Sequence, residues 1–438
     1  MLEVIILLIR KYHKKSKKNI LGQAYIERTG EHSVVCAILN MWLTARALNI
    51  GMGWVSILKP KKINNIFDMK KEDYKFYIKK GNKMKKIIGK LGISSVLLIV
   101  MSMNLNAKEK VYKLKMATTW GKSTTPLIDS AINMARLAEE MSSGRLKIRV
   151  DASNKHKAPL GILDMVKGGQ YDMGHSSSYY WKGKDINTLP FTSMPFGMTA
   201  PEQYAWFYNG GGLELMQKVY AKHGVLSFPG GNTGNQMGGW FRSEIKSLDD
   251  LKGLKMRIPG FAGEIMAKLG VKVTNIAPGE LYTSLERNTI DALEWVGPAM
   301  DIKMGFHKIA PFYYTGWHEP ASEMQFLINK KKFDKLPKDL QQIMIVAMRV
   351  SAYDMYIQHY DMSAQAWDKM KNGQSNIKIK TFPTTVMNAM KKANNELRVE
   401  MGNKSPMLKE ILDSQDSYMK KAREWTKMSD YLYLKDNL

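Results

Sequence analysis

From Tyr112 onward the chain sets short apolar runs between longer segments whose apolar positions recur every three or four residues, the signature of strands alternating with helices. Tyr112–Thr118 and Leu146–Val150 predict strands. Between them Thr125–Met141 predicts a helix with Ile128, Ala131, Ile132 and Ala135 on one side. Helix Leu160–Lys167 and strand Tyr171–Ser176 continue a rhythm that implies parallel strands covered by helices. Beyond a stretch rich in Gly and Pro a second run predicts strands Val225–Phe228, Gly239–Arg242, Lys255–Pro259 and Lys272–Ile276. Helices Leu248–Lys252, Phe261–Leu269 and Glu280–Asn288 fall among them. The predicted class is therefore α/β, with two such units in series. A last strand, Ala321–Asn329, precedes a helical pattern over Lys338–Lys371, too long for an ordinary globular helix and suited to crossing both units. Thr384–Lys427 is again helical, with a break near Gly402–Pro406, and carries an apolar side at Met407, Leu408, Ile411 and Leu412.

Composition narrows the function. Of 438 residues 44% are hydrophobic and 24% charged, ordinary for a folded protein, and the single cysteine, Cys36, excludes an intrachain disulfide or a cysteine-based zinc cage. The net charge of +26 divides into +11 over residues 1–83 (17 basic, 6 acidic) and +15 over the remainder (49 basic, 34 acidic). It is spread along the chain and interleaved with acids, whereas nucleic-acid binding needs a cluster on one face, so no nucleic-acid partner is expected.

Residues 84–107 read MKKIIGKLGISSVLLIVMSMNLNA: a basic start, an apolar run over Leu91–Met103 too short for a membrane span of about 20 residues, and a small residue, Ala107. This is the form of a secretory signal peptide, with export to the periplasm from a start at Met84. Two α/β lobes behind such a signal suggest a cleft-type receptor that closes on its ligand. Residues 1–83 need a separate account. GQAYIERTGEHSVVCAILNMWLTARALNIGMGWVSILKP, Gly22 to Pro60, resembles the middle of 5,6-dimethylbenzimidazole synthase, of the flavin-dependent nitroreductase group. The segments for most of a flavin site are missing, so 1–83 reads as a truncated remnant followed by a Lys-rich linker. A flavoenzyme reading rests on this fragment alone.

Three blocks carry chemistry. GGNTGNQMGGWF, Gly230 to Phe241, permits close backbone approach but lacks the Lys-Ser/Thr of a phosphate loop. GLKMRIPGFAGEIMAKLG, Gly253 to Gly270, places Arg257 at the end of a strand feeding a helix, where a guanidinium either meets a ligand carboxylate or stands as a surface charge. IDALEWVGPAMD, Ile290 to Asp301, places Glu294 and Trp295 at a turn. A carboxylate beside main-chain carbonyls there coordinates a hard cation with an amide oxygen such as that of Gln236, or is a surface acid beside a packed indole. GHSSS at Gly174–Ser178 lacks the closing glycine of a nucleophile elbow, and no histidine pair has zincin spacing, so no enzyme is expected.

Together with MATTWG (Met116–Gly121), YDMGHSSSYYWKGK (Tyr171–Lys184), MPFGMT (Met194–Thr199) and GWHEP (Gly316–Pro320), these blocks resemble the DctP-type substrate-binding subunit of tripartite ATP-independent periplasmic (TRAP) transporters. The similarity is greatest to the branch that binds 2-oxoacids and related monocarboxylates. The resemblance implies a two-lobed solute-binding fold over 108–438: lobe 1 near 108–231 with parts of the C-terminal region, lobe 2 near 232–328, and helices over 338–438. It implies that Arg257 pairs with the ligand carboxylate and that Gln236, Glu294 and the main-chain oxygen of Trp295 surround a bridging sodium or calcium ion, with no organic cofactor. Asn232 and Tyr179 become polar contacts, Trp120 and Phe196 apolar walls, and His318 and Glu319 reach the cleft or buttress it. The implied partners are a small organic carboxylate, membrane permease subunits and a second copy, paired through the 407–412 face. A signalling partner in place of the permease is the alternative.

Overall fold

The computed structural model describes residues 110–373 and 376–438; the expectations for the remnant over 1–83 and the signal peptide over 84–107 lie outside them. Within Lys110–Leu438 the strands form two sheets, and the fold is two-lobed α/β. The first sheet has the order β2-β1-β3-β10-β4, built from β1 (Tyr112–Thr118), β2 (Leu146–Asp151), β3 (Met173–Ser176), β4 (Val225–Asn232) and β10 (Glu323–Asn329). The second has the order β11-β9-β5-β8-β6-β7, from β5 (Gly239–Phe241), β6 (Lys255–Arg257), β7 (Lys272–Thr274), β8 (Ala292–Leu293), β9 (Phe312–Tyr314) and β11 (Lys378–Lys380).

Period-two alternation explains why each sheet is covered on both faces. In the first, Met116, Phe326 and Ile328 pack with α1 (Leu127–Met141), while Ala117 and Leu327 point the opposite way onto α2 (Ile162–Lys167), α3 (Ala200–Asn209) and α4 (Gly212–Ala221). In the second, Phe241, Ala292 and Tyr314 face α5 (Gly260–Lys268). Their neighbours Trp240, Leu293 and Tyr313 face α6 (Leu281–Glu286) and α7 (Pro298–Met304).

The structure corrects several expectations. Residues 323–328, assigned to the second lobe, belong to β10 in the first sheet, antiparallel to both β3 and β4, and β5 runs antiparallel to β8 and β9 in the second, so neither lobe is the purely parallel unit that the rhythm implied. A strand that returns from the other lobe enters from the opposite end. Leu248–Lys252 is a single 3₁₀ turn over Asp249–Leu251 and not an α-helix. Helices α3 and α4 were passed over as Gly/Pro-rich chain. Their signal was the capping box of Thr199 with Glu202, and the glycines at 210–212 are the break between them. The face at Leu408, Ile411 and Leu412 is buried in the core of its own chain and does not await a second copy.

The chain passes between lobes at β4 to β5, at β9 to β10, and through the helix α8 (Lys338–Gly373, 36 residues). This helix packs on β4 and α1 in the first lobe and on α7 in the second, the crossing that its length predicted. It is followed by α9 (Thr384–Lys404) against α5, and α10 (Pro406–Thr426) against α3 and α4, broken at Ser405–Pro406. Among the described residues no helix is long and apolar enough to cross a membrane.

Candidate ligand and cation site

Strand β6 ends on Arg257, which points its guanidinium into the second lobe's turn after β8. Nη1 donates to the main-chain oxygen of Glu294 at 2.6 Å and to its Oε2 at 3.0 Å. Both side chains are 1% exposed. The guanidinium also lies 5.6 Å from the centre of the Trp295 ring. Three members of the sequence-based set, Arg257, Glu294 and Trp295, are thus brought together.

The turn that carries Trp295 is held by a buried carboxylate. Asp301, in α7, accepts from the main-chain N–H of Val296 at 3.1 Å and of Gly297 at 2.9 Å, and from Trp240 Nε1 and Tyr313 Oη at 2.9 Å each. Nothing in the sequence singled out Asp301, because its role is visible only once Trp240 and Tyr313 are folded beside it.

Gln236 is laid against the GWHEP segment. Its N–H donates to the Glu319 carbonyl at 2.9 Å, and Gly316 passes so close that a Cβ there would stand 1.9 Å from the Gln236 oxygen. Glycine at 316 is therefore what lets His318 and Glu319 lie beside Gln236. The Gln236 Nε2 donates to Thr233 Oγ1 at 2.9 Å, which fixes the amide and leaves Oε1 without a partner.

The remaining atoms form a pattern. Arg257 Nη2, Glu294 Oε1, Gln236 Oε1, Tyr180 Oη, Glu319 Oε2 and both ring nitrogens of His318 are buried without hydrogen-bond partners. One such atom in a folded protein is costly, and a concentration of them marks a place built for a ligand. One donor atom each of Glu294, His318 and Glu319 lie within 4.8 Å of one another. Burial raises the Glu294 carboxyl to about 8 against the pull of Arg257, raises Glu319 to about 7, and lowers His318 to about 4. Burial likewise pushes the Tyr179 and Tyr180 hydroxyls up, with the charges of Arg257, Glu294 and Glu319 acting on both. The two rings meet edge to face at 4.7 Å, beside the arginine. Tyr180 was missed by the sequence reading, which chose its neighbour.

The donor set fits a cation and an anionic ligand together. Oxygens of Gln236 and Glu294 suit a hard cation, and Arg257 Nη2 is a free cationic donor. Other expected residues do different work. Asn232 is fully engaged: Nδ2 donates to Gln203 and Glu323, and Oδ1 accepts from Gly234 and Ser322, so it ties the crossing strands and has no group left for a ligand. Trp120 is buried in the core with Leu293 and Trp295, its Nε1 donating to His175. Phe196 is tilted against Trp317 with ring centres 5.7 Å apart and lines a separate cavity of about 190 Å³ with Met194, Asn394 and Arg398.

Residues 116–405 match the DctP family model, described as bacterial extracellular solute-binding protein, family 7. The chain belongs to that family. It is 40% identical over 320 residues, 73% of its length and 87% of the relative's, to a monocarboxylate 2-oxoacid-binding periplasmic protein of Nostoc. A TRAP periplasmic solute-binding protein of Colwellia psychrerythraea, solved with bound calcium and pyruvate, shares 60% identity and a TM-score of 0.74, covering 75% of this chain and 100% of that one. Its counterpart from Pseudoalteromonas atlantica, solved with sodium and pyruvate, shares 59% and a TM-score of 0.74 over 74% of this chain and 99% of that one. Separately, 52 residues, 12% of the chain, are 46% identical to a quarter of the 5,6-dimethylbenzimidazole synthase of Rhodospirillum rubrum.

Proposed function

We propose that this family 7 protein is the periplasmic receptor of a TRAP transporter, exported from a start at Met84, and that it binds a 2-oxoacid such as pyruvate with a sodium or calcium ion. It delivers the acid to the membrane permease and performs no chemistry on it. The observation that carries this reading is the sorting of unpartnered buried atoms: oxygens on Gln236 and Glu294, a cationic N–H on Arg257. Relatives at about 60% identity hold pyruvate beside calcium or sodium.

In this reading Arg257 Nη2 takes the carboxylate and sets its direction, since Nη1 is committed to Glu294. Gln236, Glu294 and the Trp295 carbonyl hold the cation, which when bound supplies positive charge next to the oxygen beside the carboxylate. Trp295 and the Tyr179–Tyr180 pair exclude water, so the electrostatic contacts act in a medium of low polarity.

Closure is assigned to the strands that join the lobes. Glu323, where β10 re-enters the first sheet, accepts from the N–H of Gly230 at 2.9 Å and Gly231 at 3.1 Å, binding the two crossing strands to each other.

The dimer expectation moves to a new face. Helix α8 exposes Val346, Val350, Tyr353, Ile357 and Tyr360, a heptad spacing on its outer side, with Tyr353 61% and Tyr360 71% exposed. The C-terminal segment exposes Trp425, Met428 and Leu432 at similar spacing. Two apolar helical stripes on one chain, neither covered among the described residues, suit reciprocal packing in a homodimer.

A thermal-shift screen of the full chain against small carboxylates, with and without sodium or calcium, tests the receptor reading. The expected outcome is stabilisation by 2-oxoacids that grows when cation is present. Stabilisation by no carboxylate under any cation overturns it.

A further inference from the structure

We propose that Glu294, His318 and Glu319 form a transition-metal site, in which the His318 imidazole supplies a nitrogen that lets the cleft hold Mn²⁺ or Zn²⁺ in place of a hard cation. The inference rests on the cation-and-ligand reading above and deepens it by naming a second class of ion.

His318 is the decisive residue. It is fully buried, and neither ring nitrogen has a hydrogen-bond partner. A histidine that serves only packing looks different in this same protein. His175, equally buried, accepts from Trp120 Nε1 at 2.8 Å through Nδ1 and donates from Nε2 to the Gly230 carbonyl at 2.8 Å, so both nitrogens are used. A buried imidazole left idle at both ends, between two carboxylates that also have idle oxygens, is arranged for a third party that accepts electron pairs from all of them.

The spacing agrees. His318 Nε2 and Glu294 Oε1 are 3.5 Å apart and make no hydrogen bond. Metal bonds of about 2.0–2.2 Å around a tetrahedral centre put neighbouring ligand atoms roughly 3.3–3.6 Å from each other. The separation is therefore that of one edge of a coordination polyhedron. Glu319 Oε2 is unpartnered, and one donor atom from each of the three residues lies within 4.8 Å of the others.

Charge and softness set the class of ion. A metal that binds here displaces the protons of the two carboxyls; the carboxylates then leave one negative charge against the single Arg257 guanidinium, and a divalent cation with a monocarboxylate ligand brings the set to neutrality. Because Arg257 engages Glu294 Oε2, it is Oε1 on the His318 side that is left for a metal. An imidazole nitrogen contributes little to sodium or calcium, which take oxygen ligands, but adds affinity for manganese and more for zinc.

The full chain is stripped with a chelator and titrated by calorimetry with Mn²⁺, Zn²⁺ and Ca²⁺, each with and without pyruvate, and the Mn²⁺ form is examined by pulsed EPR. The expected result is a nitrogen coupling from a directly bound imidazole in wild type that is absent from His318→Gln. The ratio of Zn²⁺ to Ca²⁺ affinity should also fall at least about tenfold in that variant. A wild-type Mn²⁺ spectrum without nitrogen coupling, or an affinity ratio in His318→Gln equal to that of wild type, overturns the proposal; the wild-type spectrum decides alone if the variant does not fold. Calcium-dependent pyruvate binding without the nitrogen coupling would reject the metal site and leave the receptor reading in place. Nitrogen coupling without pyruvate binding under any ion would do the reverse.

Discussion

In the proposed site Arg257 does two tasks with one guanidinium, and that division was only half legible in the sequence. Its place at a strand end feeding a helix made it a candidate, and the family motif chose it over a surface role. What the sequence could not carry is that Nη1 is spent on Glu294 while Nη2 stays without a partner. Replacing Arg257 by Ala should weaken every carboxylate by about 2–5 kcal/mol in calorimetry, because it removes the buried cationic contact to the ligand. Arg257→Lys should not restore binding, since one ammonium cannot hold Glu294 and reach the ligand from a planar fork. Wild-type affinity in Arg257→Lys would show that charge alone suffices. The reading of Asn232 as a ligand contact failed for a related reason. A polar residue in a motif shows that an amide is needed there, and only the folded chain shows that Gln203, Glu323, Gly234 and Ser322 consume all of it.

Among elements, the strands and the long helix were readable because each has a clear period, whereas the direction of β10 was not. Its apolar pattern is the same whether it runs with or against β3 and β4, and only the return from the second lobe decides. Helices α3 and α4 were hidden by glycines that punctuate them, as weak local signals lose to strong breakers. At the join of β4 and β10, burial raises Glu323 to about 8 from the ordinary 4.5, although its bonds to Gly231, Asn232 and Gly230 pull the other way. Between those two values the unfolded chain has lost the proton and the folded chain still holds it. The contribution of Glu323 to stability is therefore complete below about 4.5 and is lost as pH rises through about 8. Comparing melting temperatures of wild type and Glu323→Gln between pH 5 and pH 8, the variant should decline less steeply. Parallel curves would mean that Glu323 ionises normally in the folded protein.

For the whole molecule, the two-lobed class followed from two α/β runs in series joined by a helix long enough to span both, and the residues of the candidate site lie together because they come from turns beside β4, β6 and β8 and from the return to β10. The pairing face did not follow. The apolar side at Leu408, Ile411 and Leu412 and the stripe on α8 look alike as patterns, and burial within the chain separates them. Light scattering should give a dimer mass for wild type and a monomer for the double variant Tyr353→Glu, Ile357→Glu, with pyruvate binding kept. A wild-type monomer at micromolar concentration would remove the α8 stripe as an interface. The central claim is that acid and cation share one site. Its most direct measure is calorimetry of pyruvate binding to the chelated full chain at stepped calcium or sodium concentrations, for wild type and Glu294→Gln. Wild-type affinity should rise with cation by a coupling of about 1–3 kcal/mol, and Glu294→Gln should lose most of that rise. Pyruvate affinity that is the same with and without cation, or a Glu294→Gln protein as cation-dependent as wild type, would contradict it.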